Sequence, residues 1–591
     1  MRLGVDTGGT FTDAVGDDGR VVKVASDPAD PAAAVARAVS AAEPGATGIS
    51  VLAHGTTVAT NALLERSGAR VALVATDGFA DVIEIARQVR PALYDDTIDR
   101  SPPLVPRALR FGVAGRLDAS GRELRPFDGT VPAIPPGVEA VAVCLLHADL
   151  DGAHERAVAA ALGAVGDYAT VCSHAVSPEF REYERMVTTV VEAYLRPVCG
   201  PYLGRIAGLA AEVLVMTSAG GLVTLEAAAT ATAALLLSGP AGGVRAAVEV
   251  AAACGFADAV SFDMGGTSTD VCLIRGGVPE PAPQRVVAGL PIRLPALDVH
   301  TIGAGGGSIA RIDAGGALVV GPRSAGAVPG PACYGRGGAE PTVTDADLVL
   351  GRIPGDAAFA DLGLLDRDAA RRALDGAGLT AEGVVRVVDA AMERAVRVVT
   401  VERGVDPRAL ALVAFGGAGP LHACAVAEAL GMAAVIVPPR AGVCSAAGLL
   451  AAPRAREVVR SYAGGSLEDA RARVAAEAGA LVGPGATVTT TVDCRYVGQS
   501  HELTVVDPDA FPAEHERRNG HARVGASVEV VAVRARAVAS APGSLADLPE
   551  VARDRVVGPA VVAEADCTVW VPEGWAAEPG PLGAWVIRRT P

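Results

Sequence analysis

Near its N-terminus the chain reads Val5-Asp6-Thr7-Gly8-Gly9-Thr10-Phe11-Thr12-Asp13. The pattern returns as Phe262-Asp263-Met264-Gly265-Gly266-Thr267-Ser268-Thr269-Asp270, identical at six of nine positions. Each copy joins two apolar segments that read as strands, so each predicts a hairpin with a glycine-rich turn. A repeated supersecondary unit predicts two similarly built domains.

The two hairpins carry the residue types that bind phosphate. Adjacent glycines let backbone N–H groups approach an anion, threonine hydroxyls add donors, and an aspartate at a strand end binds Mg²⁺ through water. A single copy would more simply be an ordinary tight hairpin, but two copies facing each other predict a nucleotide clamped between domains. The candidate residues are Asp6, Gly8, Gly9, Thr10, Thr12 and Asp13 in the first hairpin, and Asp263, Gly265, Gly266, Thr267 and Asp270 in the second.

Composition limits the class of protein. Of 591 residues, 50% are hydrophobic and 20% charged, which supports buried cores in roughly three to four domains and argues against disorder. The 51 basic and 67 acidic side chains leave a net charge of −16, which disfavours a nucleic-acid partner. No stretch reaches the ~18 apolar residues of a membrane helix, and the first residues read as a strand rather than a signal peptide. Ten cysteines without C-x-x-C spacing fit a reducing compartment. We expect a cytoplasmic protein with no membrane partner.

Periodicity predicts an α/β chain. Helices are predicted over 56–66, 179–210 and 384–403, and buried strands over 138–146 and 410–415. Residues 300–345 are glycine-rich and predict loops. Beyond about residue 455, short alternating segments predict a separate β-rich domain.

A third glycine-rich turn reads Ala414-Phe415-Gly416-Gly417-Ala418-Gly419-Pro420-Leu421-His422. Alone it would be an ordinary strand-to-helix turn. Together with the two hairpins it resembles the actin / heat-shock 70 / sugar-kinase ATPase superfamily. That resemblance implies two ribonuclease-H-like domains around a nucleotide cleft, with ATP phosphates on the hairpins and adenosine beside Gly416, Gly417 and Gly419.

More narrowly, the chain resembles the hydantoinase A / 5-oxoprolinase family, of the N-methylhydantoinase A subunit type, over essentially its whole length. The matching segments are His54 to Leu63, Pro178 to Arg185, Ser238 to Gly243, Asp298 to Ser308 and Ser324 to Gly338. The resemblance implies ATP-dependent activation of a carbonyl oxygen. Phosphorylation converts an amide carbonyl, which resonance protects from water, into an electrophilic carbon with a good leaving group.

The resemblance gives the candidate sites specific roles. Asp6, Asp263 and Asp270 are the expected catalytic residues, and Asp6 and Asp263 are expected to hold Mg²⁺ or Mn²⁺ through water. Expected substrate contacts are His54, Thr56, Asp298, His300, Gly305 and Gly306.

Several motifs keep two interpretations. Thr56 either caps a helix or binds an anion, and the Asp298–His300 pair either binds metal or contacts substrate. Glu182, Glu184 and Arg185 more simply form a solvated charged face, and Cys333 is more simply structural than nucleophilic.

The predicted organisation is an N-terminal α/β domain over 1–178, an ATPase domain over 179–455 and a β-rich domain over 456–591. The predicted function is an ATP-dependent hydrolase subunit that opens a cyclic amide of the hydantoin or 5-oxoproline type. The alternative is the ATP-consuming subunit of an acetone- or acetophenone-type ketone carboxylase. Either enzyme implies a small-molecule substrate and a second subunit of the hydantoinase B type.

Lys23 is the only lysine in the chain, and no glycine-rich loop precedes it. A P-loop and Schiff-base chemistry are therefore close to excluded. Because no other lysine can offset the charge of ATP, we expect strict dependence on a divalent cation. The same reasoning predicts almost no effect of Lys23→Arg.

The chain also departs from the family pattern. Ala175, Val187 and Glu192 stand where Glu, Ser and Asn are expected, and Asn519 stands where an aromatic residue is expected before Gly520. These positions bear on the substrate and on the partner interface rather than on the hairpins.

Overall fold

The computed structural model describes residues 1–27, 29–43, 48–95, 97–355 and 363–590. It contains two large sheets, a smaller parallel sheet and a four-stranded sheet nearer the C-terminus. Among the described helices, none is long and apolar enough to cross a membrane.

The first part of the chain extends to residue 230. Its strands are β1 (Arg2–Thr7), β2 (Phe11–Gly16), β3 (Val21–Ala25), β4 (Val51–Gly55), β5 (Val71–Thr76), β6 (Arg110–Val113), β7 (Arg116–Leu117), β8 (Glu123–Arg125), β9 (Ala140–Cys144), β10 (Ala169–Cys172), β11 (Glu212–Met216) and β12 (Leu222–Thr224). Its helices are α1 (Pro31–Ala42), α2 (Val58–Leu64), α3 (Val82–Ile85), α4 (Ala153–Val165), α5 (Ser173–Val176), α6 (Glu182–Ile206) and α7 (Leu225–Thr230).

The first large sheet has the strand order β12-β11-β4-β1-β2-β3. β1, β2 and β3 are successively antiparallel, whereas β1, β4 and β11 run parallel. The smaller sheet, β10-β9-β5-β6, is parallel. One hydrophobic core contains side chains of both sheets and of α6.

The second part carries the repeat. Its strands are β13 (Ala259–Met264), β14 (Thr269–Arg275), β15 (Val278–Pro279), β16 (Pro281–Ala282), β17 (Arg285–Val287), β18 (Leu290–Ile292), β19 (Ala296–Leu297), β20 (Val299–Ile302), β21 (Ser308–Ile312), β22 (Leu318–Ser324), β23 (Ala411–Phe415) and β24 (Ala434–Val437). Its helices are α8 (Gly239–Ala253), α9 (Val343–Val349), α10 (Arg367–Gly376), α11 (Ala381–Val399), α12 (Gly419–Leu430) and α13 (Cys444–Ala451).

The second large sheet repeats the pairing pattern of the first. β13, β14 and β15 are successively antiparallel, and β13, β23 and β24 run parallel. The predicted duplication is therefore present at the level of strand order. The prediction of loops over 300–345 is wrong in part, because β20 to β22 and α9 form there around buried Ile309, Ala310 and Val343.

The remaining strands are β25 (Ala455–Ser461), β26 (Thr487–Tyr496), β27 (Leu503–Val505), β28 (Val528–Val538), β29 (Val556–Val557), β30 (Ala560–Ala563), β31 (Thr568–Val571), β32 (Trp575–Pro579) and β33 (Trp585–Arg589), with helices α14 (Leu467–Val482) and α15 (Phe511–Asn519). β25 to β28 form a sheet with its own core against α14. β33 pairs with β24, so the last strands extend the second large sheet. Strand pairing thus crosses the predicted domain boundary at residue 455. In the same way, β11 pairs with β4 across the predicted boundary at residue 178.

Helices α8 and α13 cross between the two large sheets, and glycines permit the contact. A Cβ on Gly242 or Gly448 would collide with the backbone of the opposite helix, and one on Gly4 would collide with Ala446. This close packing fixes β1 of the first sheet against the helices that lead into and out of the second.

Candidate functional site

The two hairpins present equivalent carboxylates. Asp6 pairs in register with Asp13, and Asp263 pairs with Asp270. Directly paired residues of an antiparallel ladder share a face of the sheet, so each hairpin places two carboxylates together.

The charges of these carboxylates show that the hairpins face each other. Burial and then the charge of Asp13 raise the pKa of Asp6 to about 7. Burial raises the pKa of Asp263 to about 8, with further contributions from Asp270 and Asp6. Because the charge of Asp6 acts on Asp263, the structure brings both hairpins to one site. Burial also raises the pKa of Asp270 to about 6, against a hydrogen bond from Thr301.

The outer carboxylates have different partners. Lys23 on β3 pairs in register with Asp13, and its Nζ lies 2.6 Å from Asp13 Oδ1. Thr301 on β20 donates its hydroxyl to Asp270. Sequence reasoning missed both partners, because each depends on the register of a neighbouring strand. No sequence pattern placed Lys23 at the hairpins, but the structure places it against Asp13.

The hairpin turns offer two free N–H groups. The N–H groups of Gly8 and Gly265 close their turns by donating to Phe11 and Ser268, at 2.9 and 3.1 Å. Those of Gly9 and Gly266 are exposed and donate to no described residue. The N–H groups of Gly9 and Gly266 therefore remain available to an anion. The sequence predicts this role for all four glycines, and the structure leaves these two free for it.

The hairpin threonines separate into two groups. Thr10 and Thr267 lie in the turns with part of their surface open. Thr12 is fully buried, and its hydroxyl contacts the Ser26 hydroxyl at 3.0 Å. It pairs with Thr7, on the face opposite Asp6 and Asp13. The predicted cofactor contact of Thr12 is therefore replaced by a structural one.

The third glycine turn abuts the second hairpin. Gly416 has φ +80° and donates to Ala441 O, and a Cβ there would collide with Asp263 Oδ1. Ala418 N donates to Met264 O at 3.0 Å, which fixes the turn and the start of α12 to β13. Gly417 and Gly419 follow in the same turn, beside the carboxylates.

His422, on the first turns of α12, holds three helices together. Its Nδ1 lies 2.7 Å from Asp389 of α11, and its Nε2 lies 3.2 Å from Asp347 of α9. Burial opposes a charge on the ring, but the two carboxylates raise its pKa to about 10. The charged imidazole thus fixes α12 without reaching the cleft surface.

Gly305 and Gly306 pack against the turn of the second hairpin. Both are buried, and Gly306 N donates to Gly265 O at 3.0 Å. A Cβ on Gly305 would stand 2.7 Å from Thr267 N. Their predicted substrate contact is replaced by a packing role, which requires the absence of a side chain.

His54 and Thr56 also lie in the interior. His54 Nδ1 donates to Val5 O at 3.0 Å, and its Nε2 accepts from the Tyr202 hydroxyl at 2.5 Å. Burial lowers the pKa of the ring to about 4, so it is neutral. Thr56 is buried, and its hydroxyl accepts from Val58 N at 3.2 Å. His54 therefore has no surface for a substrate. The N-cap of α2 is Thr57 rather than Thr56, and the Thr57 side chain makes no capping hydrogen bond, whereas Thr56 accepts from the N–H of the first helical residue.

Asp298 and His300, predicted to bind metal or to contact substrate, have different surroundings. Asp298 pairs with Arg403. His300 pairs in register with Val271, a member of the second core, and so lies on the face of the sheet opposite Asp270. Within the described residues, the compact groups of potential metal ligands are Glu155 with Cys172 and His174, and Glu564 with Asp566 and Cys567.

Two of the three charged residues at the start of α6 are buried, so the group is not a solvated face. Arg185 is fully buried, with Nη1 2.8 Å from Asp149 Oδ1, and Glu184 receives two hydrogen bonds from Arg87. Glu182 is only partly buried. Cys333 is buried and burial raises the pKa of its thiol, as a structural cysteine requires.

Two departures from the family pattern line one cavity. Ala175 and Glu192 contribute to the wall of a space of about 180 Å³ between α6 and β25. The Glu192 carboxylate accepts from Thr232 N and Ala233 N at 3.0 and 2.7 Å. Glu192 therefore fixes the backbone of this wall, and Val187 is buried beside it in the first core. Asn519 ends α15, where Gly520 adopts φ +75°.

The cleft fits a magnesium nucleotide. Burial, and after it neighbouring carboxylates, raise the pKa values of the partly buried Asp6 and Asp263, and a cation bound beside them would favour their charged forms. A Cβ on Gly55 or Gly416 would crowd Asp6 Oδ1 or Asp263 Oδ1, so only glycine leaves these oxygens open. The N-terminus of α8 approaches as well, since a Cβ on Gly239 would lie 3.9 Å from Asp6 Oδ1. Oxygen ligands suit Mg²⁺, and free N–H groups suit phosphate.

Comparisons with known proteins agree with this geometry. The family described as Hydantoinase/oxoprolinase N-terminal region matches residues 2–166, and the family described as Hydantoinase/oxoprolinase matches 185–458. Caprolactamase subunit alpha of Pseudomonas jessenii is 38% identical over 75% of this chain and 69% of its own. Acetophenone carboxylase gamma subunit of Aromatoleum aromaticum is 32% identical over 71% and 64%. The crystal structure of ATP-dependent caprolactamase from Pseudomonas jessenii superposes with a TM-score of 0.87 at 29% identity, over the full length of both chains.

Proposed function

Because this chain belongs to the hydantoinase/oxoprolinase family, we propose that it is the ATP-dependent component of a cyclic amide hydrolase that phosphorylates the amide carbonyl oxygen. The full-length likeness to ATP-dependent caprolactamase carries the proposal. The facing hairpins supply the matching chemistry, since Asp6 and Asp263 share one site. The repeated strand order further supports two ribonuclease-H-like domains around a nucleotide cleft.

The proposed binding roles follow the free groups of the cleft. The Gly9 and Gly266 N–H groups and the hydroxyls of Thr10 and Thr267 would hold phosphate oxygens. Gly416, Gly417 and Gly419 would line the adenosine, where a side chain on Gly416 would obstruct Asp263. Asp6 and Asp263 would hold Mg²⁺ or Mn²⁺ through water. The bound cation would offset charge on the phosphates, which backbone dipoles offset only in part.

The chain's own residues then position the reaction. Phosphoryl transfer needs alignment and charge compensation more than covalent help from the protein. The close packing of α8 on α13 orients the first hairpin against the second, and Thr301 orients Asp270. The amide carbon becomes open to water once its oxygen carries the phosphoryl group.

A second subunit is part of the proposal. Two relatives are named as subunits, alpha of a caprolactamase and gamma of an acetophenone carboxylase. The ring of His54 is neutral and buried, and the ten described cysteines are buried or partly buried, so these groups offer no exposed base or nucleophile for hydrolysis of the activated amide. We propose a partner of the hydantoinase B type that supplies this step, in a reducing compartment that suits ten unpaired thiols.

Substrate-stimulated ATP turnover tests the proposal. We expect cyclic amides to raise ATP turnover by the chain with its co-encoded neighbour protein, excess chelator to abolish it, and Mg²⁺ or Mn²⁺ to restore it. The single chain is expected to open rings poorly. Dependence on bicarbonate with ketones would instead support the carboxylase alternative, whose relative has the lower identity. Turnover indifferent to every amide and ketone would contradict both enzymes.

A further inference from the structure

We propose that Lys23 is a positioning residue of the nucleotide cleft, holding Asp13 by one oxygen in a way that arginine does not reproduce. The inference rests on the proposed nucleotide site. It reverses the expectation from sequence that Lys23→Arg is almost silent.

The contact is specific in its geometry. Lys23 Nζ lies 2.6 Å from Asp13 Oδ1, and the two side chains are only 26% and 18% exposed. Asp13 Oδ1 is fully buried. The ammonium also lies 4.9 Å from the centre of the Phe11 ring. Phe11, Asp13 and Lys23 therefore form a compact cluster on the face that carries Asp6.

The second oxygen of Asp13 remains free. No described residue donates a hydrogen bond to Asp13 Oδ2, and Asp13 is directly opposite Asp6 in the hairpin. Lys23 thus holds one oxygen of Asp13 and leaves the other without a donor among the described residues, where it can accept from a hydrated cation.

Arginine would change this arrangement. An ammonium is a compact point charge, whereas a guanidinium is a planar fork that engages both oxygens of a carboxylate. At position 23 the fork would take Oδ2 as well as Oδ1, and its greater width would press on Phe11. Asp13 Oδ2 would then no longer be a free acceptor, although the ion pair between residue 23 and Asp13 would remain.

The composition supports the same conclusion independently. All but one of the 51 basic side chains are arginine. Arginine serves even in the exposed pair Arg20–Asp18, three residues before Lys23, where the side chains are 41% and 43% exposed. A chain whose other basic side chains are all arginine has its lysine at the position that contacts Asp13.

Calorimetric titration of the full chain with ADP tests the inference, with and without Mg²⁺. We expect Lys23→Arg to weaken Mg²⁺-dependent ADP binding by about 10- to 100-fold, the range for partners that orient metal-binding groups. The affinity for ADP in excess chelator should be unchanged by the substitution. A general structural defect would weaken ADP binding with and without Mg²⁺. Arg20→Lys is the matched control and should bind as wild type.

Chemical rescue provides the second arm. Lys23→Cys alkylated with 2-bromoethylamine regains an ammonium of nearly lysine length, and should recover binding to within about threefold of similarly treated wild type. The other cysteines are buried or partly buried. The inference is overturned if Lys23→Arg binds Mg·ADP within twofold of wild type, if the loss is equal in chelator, or if alkylation restores nothing. If wild type itself binds no nucleotide, the proposed function fails first and this inference with it.

Discussion

Asp6→Asn and Asp263→Asn are each expected to lower ATP turnover by about 100-fold or more, the scale for removing one preorganised charge-stabilising group. The double variant should lose little more than the worse single variant, because both carboxylates act on one transition state. Burial, and after it the charges of neighbouring carboxylates, raise both pKa values, to about 7 and about 8, so the charges oppose folding. Both variants should therefore be at least as stable as wild type at neutral pH.

Steady-state phosphate release and thermal unfolding, measured on the same preparations, test whether ATP turnover falls while stability does not. Asp375→Asn is the matched control, since Asp375 is exposed and its carboxylate has no hydrogen bond to a described residue. Losses that multiply in the double variant would indicate two separate sites. A fall in thermal stability would indicate that the carboxylates are structural.

Arg534→Met is expected to cost about 3–5 kcal/mol of unfolding free energy, the scale for breaking a buried ion pair from one side. Arg534 is 4% exposed, and its guanidinium contacts Asp493 at 2.8–2.9 Å and Glu179 at 3.2 Å. Methionine of similar length leaves Asp493 without this cation and Glu179 with Arg293 alone. This network joins Glu179, which precedes α6, to β26 and β28, so its loss weakens the contact between the C-terminal sheet and the first part of the chain.

The pH dependence identifies the cause of that loss. Without Arg534 the buried carboxylates have raised folded-state pKa values, as burial already does for Glu179. A group with a raised folded pKa contributes stability at low pH that is lost as pH rises. The deficit of Arg534→Met should therefore be larger at pH 8 than at pH 5 in urea unfolding. Arg555→Met, at an exposed pair with Glu578, should cost at most about 1 kcal/mol at either pH. A deficit independent of pH would contradict the electrostatic account.

Sequence reasoning predicted best the features that are local in the chain. The carboxylates Asp6 and Asp263 were identified from the glycine-rich motifs that contain them, and α6 was predicted from the helical period of its own residues. The repeat of one motif also predicted two similarly built domains, and the two large sheets do share a strand order. Domain boundaries at 178 and 455 stay predictions, while hydrogen bonding of β11 and β33 crosses them.

The features that sequence reasoning missed depend on long-range register. Arg534 reaches Glu179 across 355 positions of sequence. Lys23 meets Asp13 only because β3 pairs with β2 in one register, and a shift of one residue would place it on the other face. His54 was expected at a substrate from the family resemblance, but its ring is enclosed by Val5 and Tyr202 from two other elements. No local pattern contains these contacts.

Transfer of carbonyl oxygen to phosphate tests the central claim most directly. A cyclic amide that stimulates turnover is labelled with ¹⁸O at its carbonyl and supplied, with ATP and Mg²⁺, to the chain and its co-encoded neighbour protein. If the γ-phosphoryl group is transferred to that oxygen, a first water attacks the carbon and the ring nitrogen leaves as the amine, which gives an acyl phosphate. When a second water then attacks the same carbon and displaces phosphate, each phosphate released by amide turnover carries one ¹⁸O atom. Phosphate free of ¹⁸O, with all of the label in the carboxylate of the opened ring, would contradict the proposed function.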